Sequence, residues 1–331
     1  MSDMRNVSSN PHVRSKFTTS DIMMIVVIAL LPAAGFGVYN FGMNALILLL
    51  ISVVTCVLAE LIFEKITKRT VTIRDLSAVV TGLLLGMNLP ATAPYWVPVI
   101  GGCFAIFIIK MLFGGLGQNF MNPALGARCF LLISFPAIMN NFVTDTYTTA
   151  TPLSMFKEAQ LAGDVTGAFS EVNVMDMIIG RTGGVIGETS MIAIVIGACI
   201  LIIAGIIDLR IPGSYIVSFV IFVALFHPAM PMDVLPRYLS AQLAGGGLML
   251  GAFFMATDYV TSPITNVGKY VYGIVLGLLT GIFRMYGSAE GVSFAIILGN
   301  LLVPLIEKAT IPLAFGIVKE PKAGKSAGKE A

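Results

Sequence analysis

The stretch IMMIVVIALLPAAGFGVY, residues 22–39, runs eighteen residues without a charge, and GMNALILLLISVVTCVLAELIF, residues 42–63, follows almost at once. Crossing roughly 30 Å of hydrocarbon takes about 20 apolar residues in a helix, fewer where the chain is broken or tilted. Working outward from this pair, eight further apolar stretches lie near 75–89, 95–113, 122–138, 188–206, 213–227, 238–256, 269–286 and 289–308. The expected fold class is an all-α polytopic membrane protein of about ten transmembrane helices. The third and seventh stretches are short, and Gly82, Gly86 and Pro90 punctuate the third.

The charge inventory agrees. Of 331 residues 56% are hydrophobic and only 11% charged, against about 25% charged in a soluble domain. Mean hydropathy is +0.90. These values exclude a cytosolic enzyme and a disordered chain. A net charge of +2 without a concentrated basic face also argues against a nucleic-acid binder. Cys56, Cys103, Cys129 and Cys199 sit far apart inside apolar runs with no CxxC spacing, so they read as small hydrophobes. His12 and His227 are too few and too distant to suggest a metal site. The first apolar run lacks a small-residue cleavage pattern, so the first helix is expected to be kept.

Basic residues set the expected orientation. With the N-terminal tail in the cytoplasm and ten spans threaded, only Lys157, Arg181, Arg237 and Arg284 of the twenty basic residues fall outside or at the outer rim. The expected arrangement is a plasma-membrane protein with both termini inside. It has a tail (1–21), a first five-helix unit (22–138), an outer connection (139–187), a second five-helix unit (188–308) and a basic tail (309–331).

An internal echo relates the two units. Arg74-Asp75-Leu76-Ser77-Ala78 opens the third stretch, and Arg237-Tyr238-Leu239-Ser240-Ala241 opens the eighth. A separation of five spans is odd, so equivalent helices would run in opposite senses, as in an inverted repeat. A chance match between apolar helices is the competing reading. Asp75, Arg128 and Asp258 lie near helix ends, where snorkelling or interhelical pairing competes with a transport role.

The long connection carries the candidate chemistry. Its first end reads Asp145-Thr146-Tyr147-Thr148-Thr149-Ala150-Thr151-Pro152-Leu153, which on its own is a polar turn. Its second end is Gly183-Gly184-Val185-Ile186-Gly187, followed by Glu188-Thr189-Ser190. Glycines there let backbone N–H groups approach a ligand closely, and a helix start favours an anion. Glu188 and Thr189 either contact that ligand or belong to the first turn of the next helix.

The pattern Asp-x-x-Thr-x-Ala-Thr resembles the flavinylation motif at which a flavin transferase esterifies FMN to the final threonine, here Thr151. It departs at the fifth position, usually Gly, Ala or Ser and here Thr149. Further blocks also fit: Ser9-Asn10-Pro11-His12, Leu89-Pro90 with Pro94-Tyr95-Trp96, Gly114-Gly115-Leu116-Gly117-Gln118-Asn119 with Asn122-Pro123-Ala124, and Gly183–Ser190. Together they resemble the D-subunit family of the Rnf electron-transport complex, related to the B subunit of the sodium-translocating NADH:quinone oxidoreductase.

That resemblance implies a urea-transporter-like fold of two inverted five-helix repeats and FMN held by a phosphoester on Thr151 at the outer face. Gly183, Gly184, Glu188 and Thr189 would contribute to flavin binding. Asn119 and Asn122, beside the Gly114–Gly117 run, would border a second, non-covalent flavin such as riboflavin. The implied role is that of a membrane component of an ion-translocating ferredoxin:NAD⁺ oxidoreductase coupled to Na⁺ or H⁺ transport. Its implied partners are a second flavinylated subunit, iron–sulfur subunits, the flavin transferase and membrane lipid. The rival reading is a non-redox transporter or channel of the same fold, since one fold hosts many functions.

Overall fold

A computed structural model describes residues 17–142, 151–162, 173–227, 231, 232, 234–287 and 291–312. Residues 1–16 and 313–331 of the two tails, and residues 145–150 of the motif, lie outside the described residues. The described chain is helical, and its one bridge outside the helices pairs Pro90 with Val185.

The first two apolar stretches form α1 (Thr19–Phe41) and α2 (Met43–Ile66). The start of α1 is set by a capping box in which the Thr18 hydroxyl accepts from Asp21 N and the Asp21 carboxylate accepts from Thr18 N. A short 3₁₀ turn (Ile73–Asp75) leads into α3 (Ser77–Met87). Next come α4 (Trp96–Cys103), which runs into a π-helix (Phe104–Met111), then α5 (Pro123–Ser134) and α6 (Pro136–Met139). The connection contributes α7 (Pro152–Ala162) and α8 (Val174–Ile179). Beyond it lie α9 (Met191–Ile203), α10 (Arg210–Phe226), α11 (Leu235–Ala244) and α12 (Leu248–Leu250), which passes into a second π-helix (Gly251–Met255). The last helices are α13 (Asn266–Tyr286) and α14 (Val292–Thr310).

Among the described residues four helices, α1, α2, α13 and α14, are long and apolar enough to cross a membrane. The pair Leu235–Ala244 and Leu248–Met255 makes a fifth, bent by 59° at its break. Four of the five remaining apolar helices are shorter than the apolar stretches that contain them, whereas Arg210–Phe226 begins three residues ahead of the stretch expected over 213–227. The stretch expected over 188–206 becomes helix only at Met191, where the Ser190 hydroxyl accepts from Ala193 N. Glu188 and Thr189 therefore precede the helix and are not in its first turn. The two R-x-L-S-A segments also differ in backbone: Leu76 is left-handed (φ 62°) ahead of α3, whereas Leu239 lies inside α11. Their match in sequence is not a match in local structure.

The surface is the reverse of a soluble protein's. On α2 the exposed side chains include Leu50, Val54, Leu58 and Ile62, a stripe at four-residue spacing. The opposite face buries small groups such as Ala45, Ser52, Cys56 and Ala59. Hydrocarbon outside offers no penalty to that stripe, so helices join through close approach of small residues. Gly273 and Gly277 of α13 do this against Ser214 and Ser218 of α10. The core beside them holds Tyr215, whose hydroxyl meets Thr280 Oγ1 at 2.6 Å, and Tyr272, whose hydroxyl meets the side-chain amide of Asn300 at 2.7 Å. Contacts of α1 with α9, and of α5 with α14, tie the chain's two halves together. The four cysteines are free, with Cys56 and Cys129 buried and Cys199 on the exposed surface.

Candidate functional site

Thr151 stands at the start of α7 and is 9% exposed. Its hydroxyl oxygen accepts from Ser154 N at 3.3 Å and lies 3.1 Å from Ser154 Oγ, which in turn donates to Thr151 O at 2.7 Å. This is the geometry of an N-cap, so Thr151 Oγ sits where the first-turn N–H groups of α7 converge. Phe156 fixes the helix in place, edge-on to the Tyr238 ring of α11 at 5.8 Å between centroids.

The second end of the connection meets it. Thr151, Gly183, Gly184, Glu188 and Thr189 line one pocket, closed on the far side by Ala244, Gly245 and Gly246. The pocket encloses about 370 Å³, mouth included. Its interior is narrow and suits an attachment point and the first atoms of a ligand. Two devices hold the walls. Residues 185–187 are strapped to the end of α3, with Gly187 N donating to Met87 O (2.7 Å) and Ile186 N to Leu89 O (3.0 Å). A Cβ at Gly187 would lie 2.5 Å from Met87 Cβ, so only glycine permits this approach. The second device is Arg284, buried in the last turn of α13. Its guanidinium donates to the carbonyls of Gly245 (2.9 Å), Gly246 (3.0 Å) and Gln242, and lies 5.1 Å over the Phe219 ring. It thereby holds the chain open between α11 and α12, where Gly246 has φ 69°.

Lys157 lies on the same helix as Thr151. Its Nζ is shielded from solvent and has no hydrogen-bond partner among the described residues, and burial draws the ammonium below the usual lysine range.

Asn119 and Asn122 lie elsewhere. They line a separate cleft with Ser77, Thr81, Lys110 and Asp258 that encloses about 810 Å³, mouth included. Asn122 Oδ1 caps α5 by accepting from Ala124 N (3.0 Å), and its Nδ2 donates to Met255 O (3.3 Å). Asn119 Nδ2 donates to Met121 O at 3.0 Å. Burial raises the Asp258 carboxyl above the usual range, opposed by hydrogen bonds from Thr261, Val260 and Asn119.

Beside this cleft Lys110 Nζ donates to Glu60 Oε1 (2.8 Å) and Ser77 Oγ (2.6 Å), and Ser77 Oγ donates to Asp75 Oδ1 (2.6 Å). Lys110 and Glu60 are almost fully buried. Sequence reasoning does not single out Glu60, although an acid inside an apolar run is a signal that could have found it. Arg128 is likewise buried, and its Nη1 donates to Asn88 Oδ1 at 2.6 Å, an interhelical pairing.

The fold and site together define a polytopic, all-helical membrane protein with a hydroxyl-bearing pocket at the ends of its helices. Residues 6–316 match the NQR2, RnfD, RnfE family, and the chain belongs to it. It is 46% identical to the D subunit of the Na⁺-translocating ferredoxin:NAD⁺ oxidoreductase complex of Acetobacterium woodii, over 97% of this chain and 98% of that one. It is 39% identical to the D subunit of the proton-translocating ferredoxin:NAD⁺ oxidoreductase complex of Clostridium ljungdahlii, over 94% and 96%. The D subunit of the ion-translocating oxidoreductase complex of Erwinia tasmaniensis is 33% identical, over 94% and 98%.

Proposed function

We propose that this chain is the D subunit of an ion-translocating ferredoxin:NAD⁺ oxidoreductase and carries FMN esterified to Thr151. The observation that supports the flavin site is the convergence of Thr151 with Gly183, Gly184, Glu188 and Thr189, which are far apart in sequence, on one pocket. Bound FMN would supply one- and two-electron redox chemistry. The chain's own part is to present Thr151 Oγ at a helix start, to hold glycine backbone close to it, and to keep the wall at 244–246 open through Arg284. The Asn119–Asn122 cleft is the place for a second, non-covalent flavin.

Ten crossings in two inverted repeats remain the architecture of choice. The four long helices, the bent pair and the five shorter apolar helices Ser77–Met87, Trp96–Met111, Pro123–Ser134, Met191–Ile203 and Arg210–Phe226 supply that number. The termini are cytoplasmic and the Thr151 pocket faces outward in this reading. The four cysteines are scattered and free, so iron–sulfur subunits and a nicotinamide-binding subunit must complete the electron path, with a second flavinylated subunit as neighbour. Electron flow is coupled to Na⁺ or H⁺ transport.

The test is co-expression with a flavin transferase, followed by in-gel flavin fluorescence under denaturing conditions. A fluorescent band that disappears in Thr151→Val is the expected result. No band, or one that survives Thr151→Val, overturns the assignment and favours a non-redox transporter.

A further inference from the structure

A lysine normally keeps its ammonium in water by extending its stem along apolar surface. Lys157 does the opposite: its Nζ is enclosed by the fold and meets no acceptor among the described residues. A charged atom shielded from water without a partner costs stability, and an anion beside it removes that cost. The neighbouring carboxylate, Glu158, is exposed. A group attached to this site, or bound at it, is the source of anion that the geometry favours.

The position of Lys157 indicates which. It follows Leu153 by four residues on α7 and so lies on the same helix face, and Leu153 lines the Thr151 pocket. Helical Cα–Cβ bonds tilt toward the N-terminus, so this face leans back toward the end that carries Thr151. Packing of Phe156 on Tyr238 fixes the rotation of the helix. At that end the positive pole of an eleven-residue helix and Ser154 N–H already converge on Thr151 Oγ.

We propose, resting on the assignment of Thr151 as the flavin attachment point, that Lys157 is the counter-cation of the phosphodiester carried on that threonine. The phosphodiester bears a single negative charge and Lys157 a single positive one, and the long flexible stem of lysine leans back over the helix turns that separate them. Lys157 is then a positioning residue. It holds the linkage against α7 and limits how far the flavin can swing from the pocket.

The experiment uses the full chain in detergent, purified with and without co-expressed flavin transferase, as wild type, Lys157→Met, Lys157→Gln, Lys157→Arg and Thr151→Val. The measurements are flavin content and melting temperature. Flavinylation is expected to raise the melting temperature of wild type and Lys157→Arg but not of Lys157→Met. Without flavin, Lys157→Met is expected to melt no lower than wild type, because it removes an unpaired charge. If Lys157→Met does not fold, Lys157→Gln reads the same coupling. An equal rise in the Met or Gln variant, or no rise in flavinylated wild type, overturns the Lys157 proposal while the Thr151 assignment stands. Absence of flavin from wild type, or its persistence in Thr151→Val, overturns the Thr151 assignment itself. A further arm places unflavinylated wild type in phosphatidylglycerol and in phosphatidylcholine nanodiscs. A Lys157-dependent rise in phosphatidylglycerol alone would assign the anion to a lipid headgroup and overturn the flavin linkage as its source.

Discussion

Arg284 Nη2 donates to the carbonyl of Gly246 at 3.0 Å, joining the last turn of α13 to the break between α11 and α12. The guanidinium also serves Gly245 O and Gln242 O, so one side chain holds three carbonyls in the last turn of α11 and just beyond it. Hydrogen bonds to a charged donor contribute about 1.5–3 kcal/mol each. Arg284→Met is expected to cost about 3 kcal/mol or more and to lower flavin content. Arg284→Lys is expected to recover little, because the planar fork is what reaches several carbonyls at once. Melting temperature and flavin per protein check both.

Two glycines of the same pocket should respond differently to alanine. A Cβ at Gly246 would lie 2.4 Å from both Arg284 Nη2 and Leu153 Cδ1, on a backbone with φ 69°. At Gly184 a Cβ would meet nothing within 4 Å. Gly246→Ala is expected to destabilise by about 1–3 kcal/mol, whereas Gly184→Ala is expected to stay within about 0.5 kcal/mol of wild type. Equal melting temperatures for the two variants would contradict the described wall.

The buried pair Lys110–Glu60, 2.8 Å apart, invites a double-mutant cycle. Lys110→Met leaves Glu60 as an unpaired charge in the helix bundle and is expected to cost about 3–5 kcal/mol. Adding Glu60→Met removes that charge, so the double variant should be more stable than Lys110→Met alone. Strictly additive losses would show that the two side chains do not depend on each other.

Lys157 gives the unflavinylated protein a specific pH dependence. Burial lowers its folded-state pKa below the ordinary 10.5, so between the lowered value and 10.5 the unfolded chain binds the extra proton. Stability therefore rises as pH climbs through that window and is lowest below it. Lys157→Met is expected to remove the rise, as read from melting temperature against pH.

Much of the helix order is legible without coordinates. Runs such as 22–39 and 42–63 need only the length of hydrocarbon to be read as helices, and α1 and α2 begin and end within a few residues of them. The bends are less legible. The stretch over 238–256 reads as continuous apolar sequence, but Gly245–Gly247 break it, and what stabilises the break is Arg284, about forty positions further on. For the site, motif resemblance groups Thr151 with Gly183, Gly184, Glu188 and Thr189, and the fold brings these five to one pocket. Asn119 and Asn122 occupy a cleft of their own, whose other walls come from helices that no local pattern connects to them.

Composition and local pattern by themselves determined that this chain lives in lipid and where its helices lie, because desolvation and helix capping act on neighbours in sequence. Thr151 stood out only through the resemblance of its motif to a flavinylation site. Tertiary structure alone decided that Lys110 would pair with Glu60, that Arg284 would prop open the pocket wall, and that the ammonium of Lys157 would be enclosed. Those outcomes depend on which buried charges come within a few ångströms of which carbonyls and carboxylates, and only the packing of helices distant in sequence sets that.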